Sequence, residues 1–169
     1  MEKNSMNRPG NSSPRKPGKD ILIIGYGNEM RGDDGAGRRL VDEVETWRMS
    51  GVRTLSLRQL NPEVAAALSD AGHVVFVDAT PGTDRRSETH IRPLDPGESS
   101  APSTHHCTPS RVLALARTIH GWIPPATLLT IPGERFGWEE SLSPTASANL
   151  DIALQAVRRL IDREKRGSR

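Results

Sequence analysis

Residues 21–37 read Ile21-Leu-Ile-Ile-Gly25-Tyr26-Gly27-Asn28-Glu-Met-Arg-Gly32-Asp33-Asp34-Gly35-Ala-Gly37. Four apolar residues run without a break, as in a strand whose sheet is covered on both faces. A Gly-x-Gly turn, an Asn, a Gly and two adjacent aspartates follow, and a helix begins near Asp34. A buried strand, a tight loop and a helix N-terminus place reactive groups at the edge of an α/β sheet. A phosphate in that loop needs backbone N–H groups and no nearby anion, whereas a metal ion needs carboxylates. Asp33 and Asp34 make the loop acidic and favour the second reading.

The first reading, a nucleotide-binding oxidoreductase domain, is disfavoured by spacing as well. The dinucleotide fingerprint is G-x-G-x-x-G, with an acid at the end of the next strand. The glycines here stand at 25, 27 and 32, and the next strand ends in Arg58-Gln59.

Outward from this stretch, the pattern alternates strands and helices. Gly37, Leu40, Val41, Val44 and Trp47 fall at helical spacing, and the helix stops before Gly51. Asp33 or Asp34 is the expected N-cap. Residues 52–58 alternate as a less buried second strand, with Val52, Leu55 and Leu57 as its core positions. Asn61-Pro62-Glu63 starts a short helix, with Asn61 as cap and Ala71-Gly72 as its end. Residues 73–79 form the third strand, with Asp78 at its C-terminal end. This order predicts parallel pairing with right-handed crossovers. Residues 88–94 read as an edge strand, charged and carrying Pro93. Thr108-Pro109 opens a helix that buries Val112, Leu113, Leu115, Ala116 and Ile119. Residues 126–131 are the last strand, and Ser143-Pro144 caps a final helix with the stripe Leu150, Ala153, Leu154, Val157, Leu160 and Ile161. The expected fold class is α/β: three layers, with a mostly parallel five-stranded twisted sheet between helices and one antiparallel edge strand.

The chain of 169 residues has length for one domain and one sizeable core. Its apolar fraction, 34%, is low, and part of the deficit lies at the ends. Residues 1–19 form a basic tail expected to be disordered, residues 20–163 a single domain, and residues 164–169 a short basic tail. The tail 1–19 carries a net +4 and residues 158–169 another +4, against +2 for the whole, so residues 20–157 hold −6. An acidic core argues against a nucleic-acid face. No apolar run approaches the roughly 18 residues of a membrane span, and the N-terminus lacks a signal-peptide run. Cys107, the one cysteine, excludes an internal disulfide. A cytoplasmic monomer without nucleic-acid or membrane partners is the expectation.

The chemistry converges on one crevice. In a doubly wound sheet strands one and three are adjacent, so Asp34 and Asp78 meet outside their C-terminal ends. Two carboxylates there raise each other's pKa unless a cation sits between them. Asp33 is then either a helix cap or a general base. His105 and His106 lie in the loop before the third long helix. One histidine added to two carboxylates suits a borderline divalent metal such as nickel or zinc with open positions for substrate. Cys107 is either a small core residue or a thiol beside the histidines. His73 and His90 read as structural or exposed, and His120 as a favourable cation at a helix end.

These motifs together resemble the hydrogenase maturation endopeptidases. Gly25-Tyr-Gly-Asn28 through Asp33-Asp34-Gly35-x-Gly37 is similar to that family's opening motif, Gln59-Leu-Asn-Pro-Glu63 to its second loop, and Val75-Phe-Val-Asp-Ala79 to its third strand. Ser103-Thr-His105 resembles its histidine segment, and Gly133-x-x-Phe136-Gly with Leu142-Ser-Pro144 its C-terminal loop. The resemblance spans residues 20–161. It implies a five-stranded α/β fold and an endopeptidase that removes the C-terminal extension of a [NiFe] hydrogenase large-subunit precursor after nickel insertion. It implies Asp34, Asp78 and His105 as contacts to nickel carried by the substrate, for which zinc or another divalent ion can stand in. His106 leaves the histidine open by one position. Where some relatives carry Glu, Asp34 shortens the arm by one carbon–carbon bond, ~1.5 Å. The other readings are a nucleotide-binding Rossmann-like oxidoreductase domain and a non-catalytic hydrogenase-assembly chaperone on the same fold.

Overall fold

In the computed structural model, which describes residues 18–82, 88–97 and 107–167, strand β1 (Asp20–Tyr26) lies beside two parallel neighbours. On one side is β2 (Val52–Leu57), on the other β3 (Ala71–Pro81). Strand β5 (Ala126–Gly133) pairs parallel with β3, and β4 (His90–Pro93) closes the far edge antiparallel to β5. The sheet order is β2-β1-β3-β5-β4. This is the five-stranded, mostly parallel sheet with an antiparallel edge that the strand and helix alternation predicts. All four β4 residues are exposed, and Pro93, which has no N–H to give a ladder, is tolerated at an edge.

Period-two alternation builds two cores from the same strands. Leu22, Ile24, Val74 and Phe76 face α2 (Val64–Leu68) and α3 (Pro109–His120). Ile21, Ile23, Val75 and Val77 face α1 (Ala36–Thr46) and α4 (Pro144–Gly167). The expected stripe of α1 is buried from Gly37 to Val44. Trp47, at its C-terminal end, is half-buried with the Arg158 guanidinium 5.2 Å from the ring centre. In the α4 stripe Ala153, Val157 and Ile161 are buried, while Leu150, Leu154 and Leu160 pack more loosely against the same core.

Several details differ from the sequence reading. Helix α1 starts later: residues Gly32–Gly35 form a 3-10 turn and α1 begins at Ala36, with Gly35 as an N-cap that makes no side-chain bond. Neither aspartate caps it. Helix α2 is shorter, because the turn before it closes through backbone bonds, Val64 N–H to Asn61 O and Ala65 N–H to Pro62 O. Among the described residues the buried Asn61 side-chain oxygen has no hydrogen-bond partner, so it does not cap α2. Ala71 and Gly72 already belong to β3, where Ala71 pairs with Asp20. Val52, Leu55 and Leu57 are half-buried, because β2 is an edge strand with one neighbour. Ile119 is 60% exposed on the outer side of α3. Helix α4 runs through Lys165 and Arg166 to Gly167, so most of the stretch 164–169 continues a helix whose last turn is basic. The tail 1–19 lies almost wholly outside the described residues.

Other expectations hold. Thr108 Oγ1 accepts from Arg111 N–H at 3.3 Å with Pro109 in the first turn, and Ser143 Oγ accepts from Ala146 N–H at 3.0 Å at the start of α4. No described helix is long and apolar enough to cross a membrane.

What places the loop after β1 is a close approach of two backbones. A Cβ on Gly25 would stand 2.0 Å from Gly37 O and 2.5 Å from Val41 Cγ2. The first turn of α1 therefore rests directly on the end of β1. Gly25→Ala should push α1 off the sheet and cost about 3 kcal/mol or more. A urea-unfolding midpoint within error of wild type would contradict this packing.

Candidate active site

The C-terminal ends of β1 and β3 carry the site. Gly25 pairs with Val77, so the next residues, Tyr26 and Asp78, stand side by side on adjacent strands. Beyond Tyr26 the chain folds back on itself. Gly27 has φ +140°, and a Cβ there would stand 1.8 Å from Asp34 O. Asn28 N–H donates to Asp34 Oδ2 at 2.7 Å, while Asn28 Oδ1 accepts from Met30 N–H at 3.1 Å. The loop is thus a closed ring that presents half-buried Asp34 at the same sheet edge as Asp78. The space over Gly27 is filled by the chain's own backbone, which leaves no cradle for a pyrophosphate.

Asp78 is the perturbed acid. Burial pushes its carboxyl up from the usual carboxylate range to about 6, and the negative charge of Asp34 adds to the rise. The Tyr26 hydroxyl and the Ala79 N–H pull the other way. Tyr26 Oη is itself buried and lacks full hydrogen-bond geometry to any partner. Its own pKa is raised well above the phenol value by burial and by the Asp78 charge. A half-buried acid, a second carboxylate charge and a phenol thus share one corner of the sheet. The Asp34 charge disfavours ionisation of Asp78, and a nearby cation would favour it.

Asp33 does something else. It has no exposed surface, and its Oδ2 accepts from Glu134 N–H at 2.6 Å, Arg135 N–H at 2.8 Å and Ser143 Oγ at 2.7 Å. Its Oδ1 accepts from Ser143 N–H at 2.6 Å. Burial alone would raise its pKa, but the donors from Ser143, Arg135 and Glu134 outweigh burial and lower it. Gly133 makes room, since a Cβ there would stand 2.5 Å from Asp33 Cβ. Asp33 ties the first loop to the loop before α4. With no surface open to a substrate and four protein donors on its carboxylate, it is held as a structural tie, which argues against the role of base, and it does not cap α1.

His105 and His106 lie outside the described residues. Among the described residues, no three of His, Cys, Asp and Glu are grouped to hold a metal ion. Cys107 is half-buried and packs on the same core as Tyr26. Burial raises its thiol pKa, Arg111 lowers it and Glu63 raises it. The other histidines lie elsewhere. His90 is exposed. His73 Nε2 is 2.9 Å from Thr127 Oγ1 and its Nδ1 3.5 Å from Glu164, at the opposite edge of the sheet.

Sequence reasoning placed Asp34 and Asp78 at one edge, and the structure brings them there. It missed Tyr26, although its position at the end of β1, opposite Asp78, is implied by parallel pairing. It also missed the link from Ser143 to Asp33, which joins residues 110 apart in the chain.

No family model matches the chain, and no curated protein does. Solved structures do. The chain is similar to the hydrogenase maturating endopeptidase HybD from E. coli at 24% identity and a TM-score of 0.64, over 82% of this chain and 89% of that one. It is similar to the [NiFe] hydrogenase maturation protease HycI from Thermococcus kodakarensis KOD1 at 22% identity and a TM-score of 0.66, over 85% and 93%. A hydrogenase 2 maturation peptidase from Thaumarchaeota archaeon SCGC_AB-539-E09 matches at 22% identity and a TM-score of 0.63, over 85% and 98%. The fold is the one these proteins share, and they carry the name of the family that the sequence motifs resemble.

Two outcomes follow from the acids. Asp33→Ala leaves buried donors unpaired and should cost about 3 kcal/mol or more. Hydrogen exchange at the Glu134, Arg135 and Ser143 amides should speed up first, and unchanged protection there would contradict the brace. For Asp78 the fold prefers the neutral form, so stability is lost as pH rises from the ordinary Asp value of 3.8 through about 6. Asp78→Asn should remove that loss and stabilise the chain at pH 7 by up to about 3 kcal/mol. Parallel stability curves for the two proteins between pH 4 and 7 would refute the assignment.

Proposed function

We propose that this chain is a peptidase that removes the C-terminal extension of a [NiFe] hydrogenase large-subunit precursor once nickel has been inserted. The observation that carries the reading is the acid pair. Asp78 is half-buried beside the charge of Asp34, at the strand ends of a fold shared with hydrogenase maturation peptidases. The nickel belongs to the substrate. Asp34 and Asp78 supply the two carboxylates that meet it, and His105 supplies the imidazole.

The carboxylates are also the groups able to take a proton from an attacking water. Asp33 is excluded from that role by its four donors. With no cation on it, Asp78 has a pKa of about 6, in the range suited to proton transfer near neutrality. The glycines of the first loop pack strand, turn and helix against one another, and the substrate meets carboxylates.

The test uses purified chain with nickel-loaded and nickel-free precursor, followed by mass. The loaded form should lose its extension and the free form should not. Asp78→Asn and His105→Ala should each slow cleavage by at least about a hundredfold while remaining folded. Equal cleavage of the two forms would reject nickel recognition. Binding without cleavage by the wild-type chain would make it an assembly chaperone.

A further inference from the structure

Among the described residues, five large apolar side chains are open to water: Met30, Ile91, Ile119, Trp138 and Ile152. Ile91, Ile119 and Ile152 stand on separate elements, β4, α3 and α4. The other two stand together. Arg31 and Glu139 form a parallel bridge, which sets the residues before them, Met30 and Trp138, side by side. Glu139 N–H donates to Met30 O at 3.1 Å and closes the pair. Trp138 is 82% exposed and Met30 49%.

This ridge is firmly built. Gly32 N–H donates to Glu139 O, and Asp33 N–H to Arg135 O at 2.8 Å. The Arg31 guanidinium donates twice to Phe136 O, at 3.2 and 3.3 Å. Beneath it the Asp33 carboxylate holds Glu134, Arg135 and Ser143. The ridge runs into the site, since Asp34 N–H donates to Arg31 O at 3.3 Å.

Several of its polar side chains are held within the ridge: Arg31 is on Phe136 O, Arg135 is 3.2 Å from Glu139, and Glu134 accepts from Thr145. The apolar groups it offers a partner are an indole and a thioether. Those side chains anchor protein interfaces and gain little from a free ion. An exposed apolar pair of this kind, fixed in place next to a site, marks an interaction surface.

We infer that the Met30–Trp138 ridge is a docking ledge for apolar side chains of the protein substrate, beside the segment that is cut. The inference rests on the reading of the chain as a precursor-processing peptidase. The ledge recognises the protein, and the carboxylates recognise its nickel, so the two contacts are separable.

Sedimentation of the chain with nickel-free precursor reads the ledge without metal recognition or cleavage. Trp138→Ala should weaken that binding by about tenfold or more, with the thermal midpoint unchanged, and Trp138→Phe should recover part of it. With nickel-loaded precursor, Trp138→Ala should raise KM by a similar factor and leave kcat within about twofold. Equal affinity of wild type and Trp138→Ala overturns the ledge, even where the wild type cuts the loaded precursor. Binding through Trp138 without any cleavage keeps the ledge and overturns the peptidase reading. No binding by either protein overturns the ledge. Self-association that depends on Trp138, with no affinity for precursor, assigns the surface to a second copy and also overturns it.

Discussion

The carboxylate of Asp33 is the constraint on which the rest of the site depends. It lies without solvent contact between two loops that are more than a hundred residues apart, and its oxygens accept four hydrogen bonds from the far loop. A buried, ionised acid is tolerated only when it is well hydrogen-bonded, and here both oxygens have protein donors. One side chain thereby fixes the start of α4, the turn before it and the first loop. Asp34, next in the chain, gains its place from that anchorage and from the Asn28 N–H on the other side of the ring.

Adjacent acids in this chain therefore have opposite work. Asp33 is satisfied by protein donors, and its pKa is lowered. Asp34 is left half-open at the sheet edge, where its charge raises the pKa of Asp78. The sheet supplies the second acid by pairing β1 with β3 in register, which sets Asp78 beside Tyr26. Holding two half-buried carboxylates close together is unfavourable unless something positive offsets their charge. That imbalance is the physical content of the functional reading. The glycines serve it indirectly: Gly25 lets α1 settle on β1, and Gly27 lets the loop close over itself.

Most of the fold was legible in the sequence because apolar runs and helix caps are local signals. Ser143-Pro144 and Thr108-Pro109 mark helix starts that the structure reproduces. The alternation of strands and helices is enough to predict the parallel sheet. Asp34 and Asp78 were legible as a pair because the topology alone puts strands one and three together. What was not legible depended on contacts between distant residues. Asp33 looked like a cap or a base because its partners Glu134, Arg135 and Ser143 lie far along the chain. Ile119 fits a helical stripe, but α3 turns that position outward. Asn61 has the residue type of a cap, yet the turn closes through its backbone oxygen instead.

Asp34 and Asp78 are the acid pair proposed to meet a cation. The most direct measurement is the carboxyl carbon shift of Asp78, followed by NMR through a pH titration without and with zinc. The account predicts a midpoint of about 6 in the free chain, from burial and the Asp34 charge, and a fall toward the ordinary carboxylate range or below when zinc is added. A free-chain midpoint near 3.8, or a midpoint that zinc leaves unmoved, would contradict it.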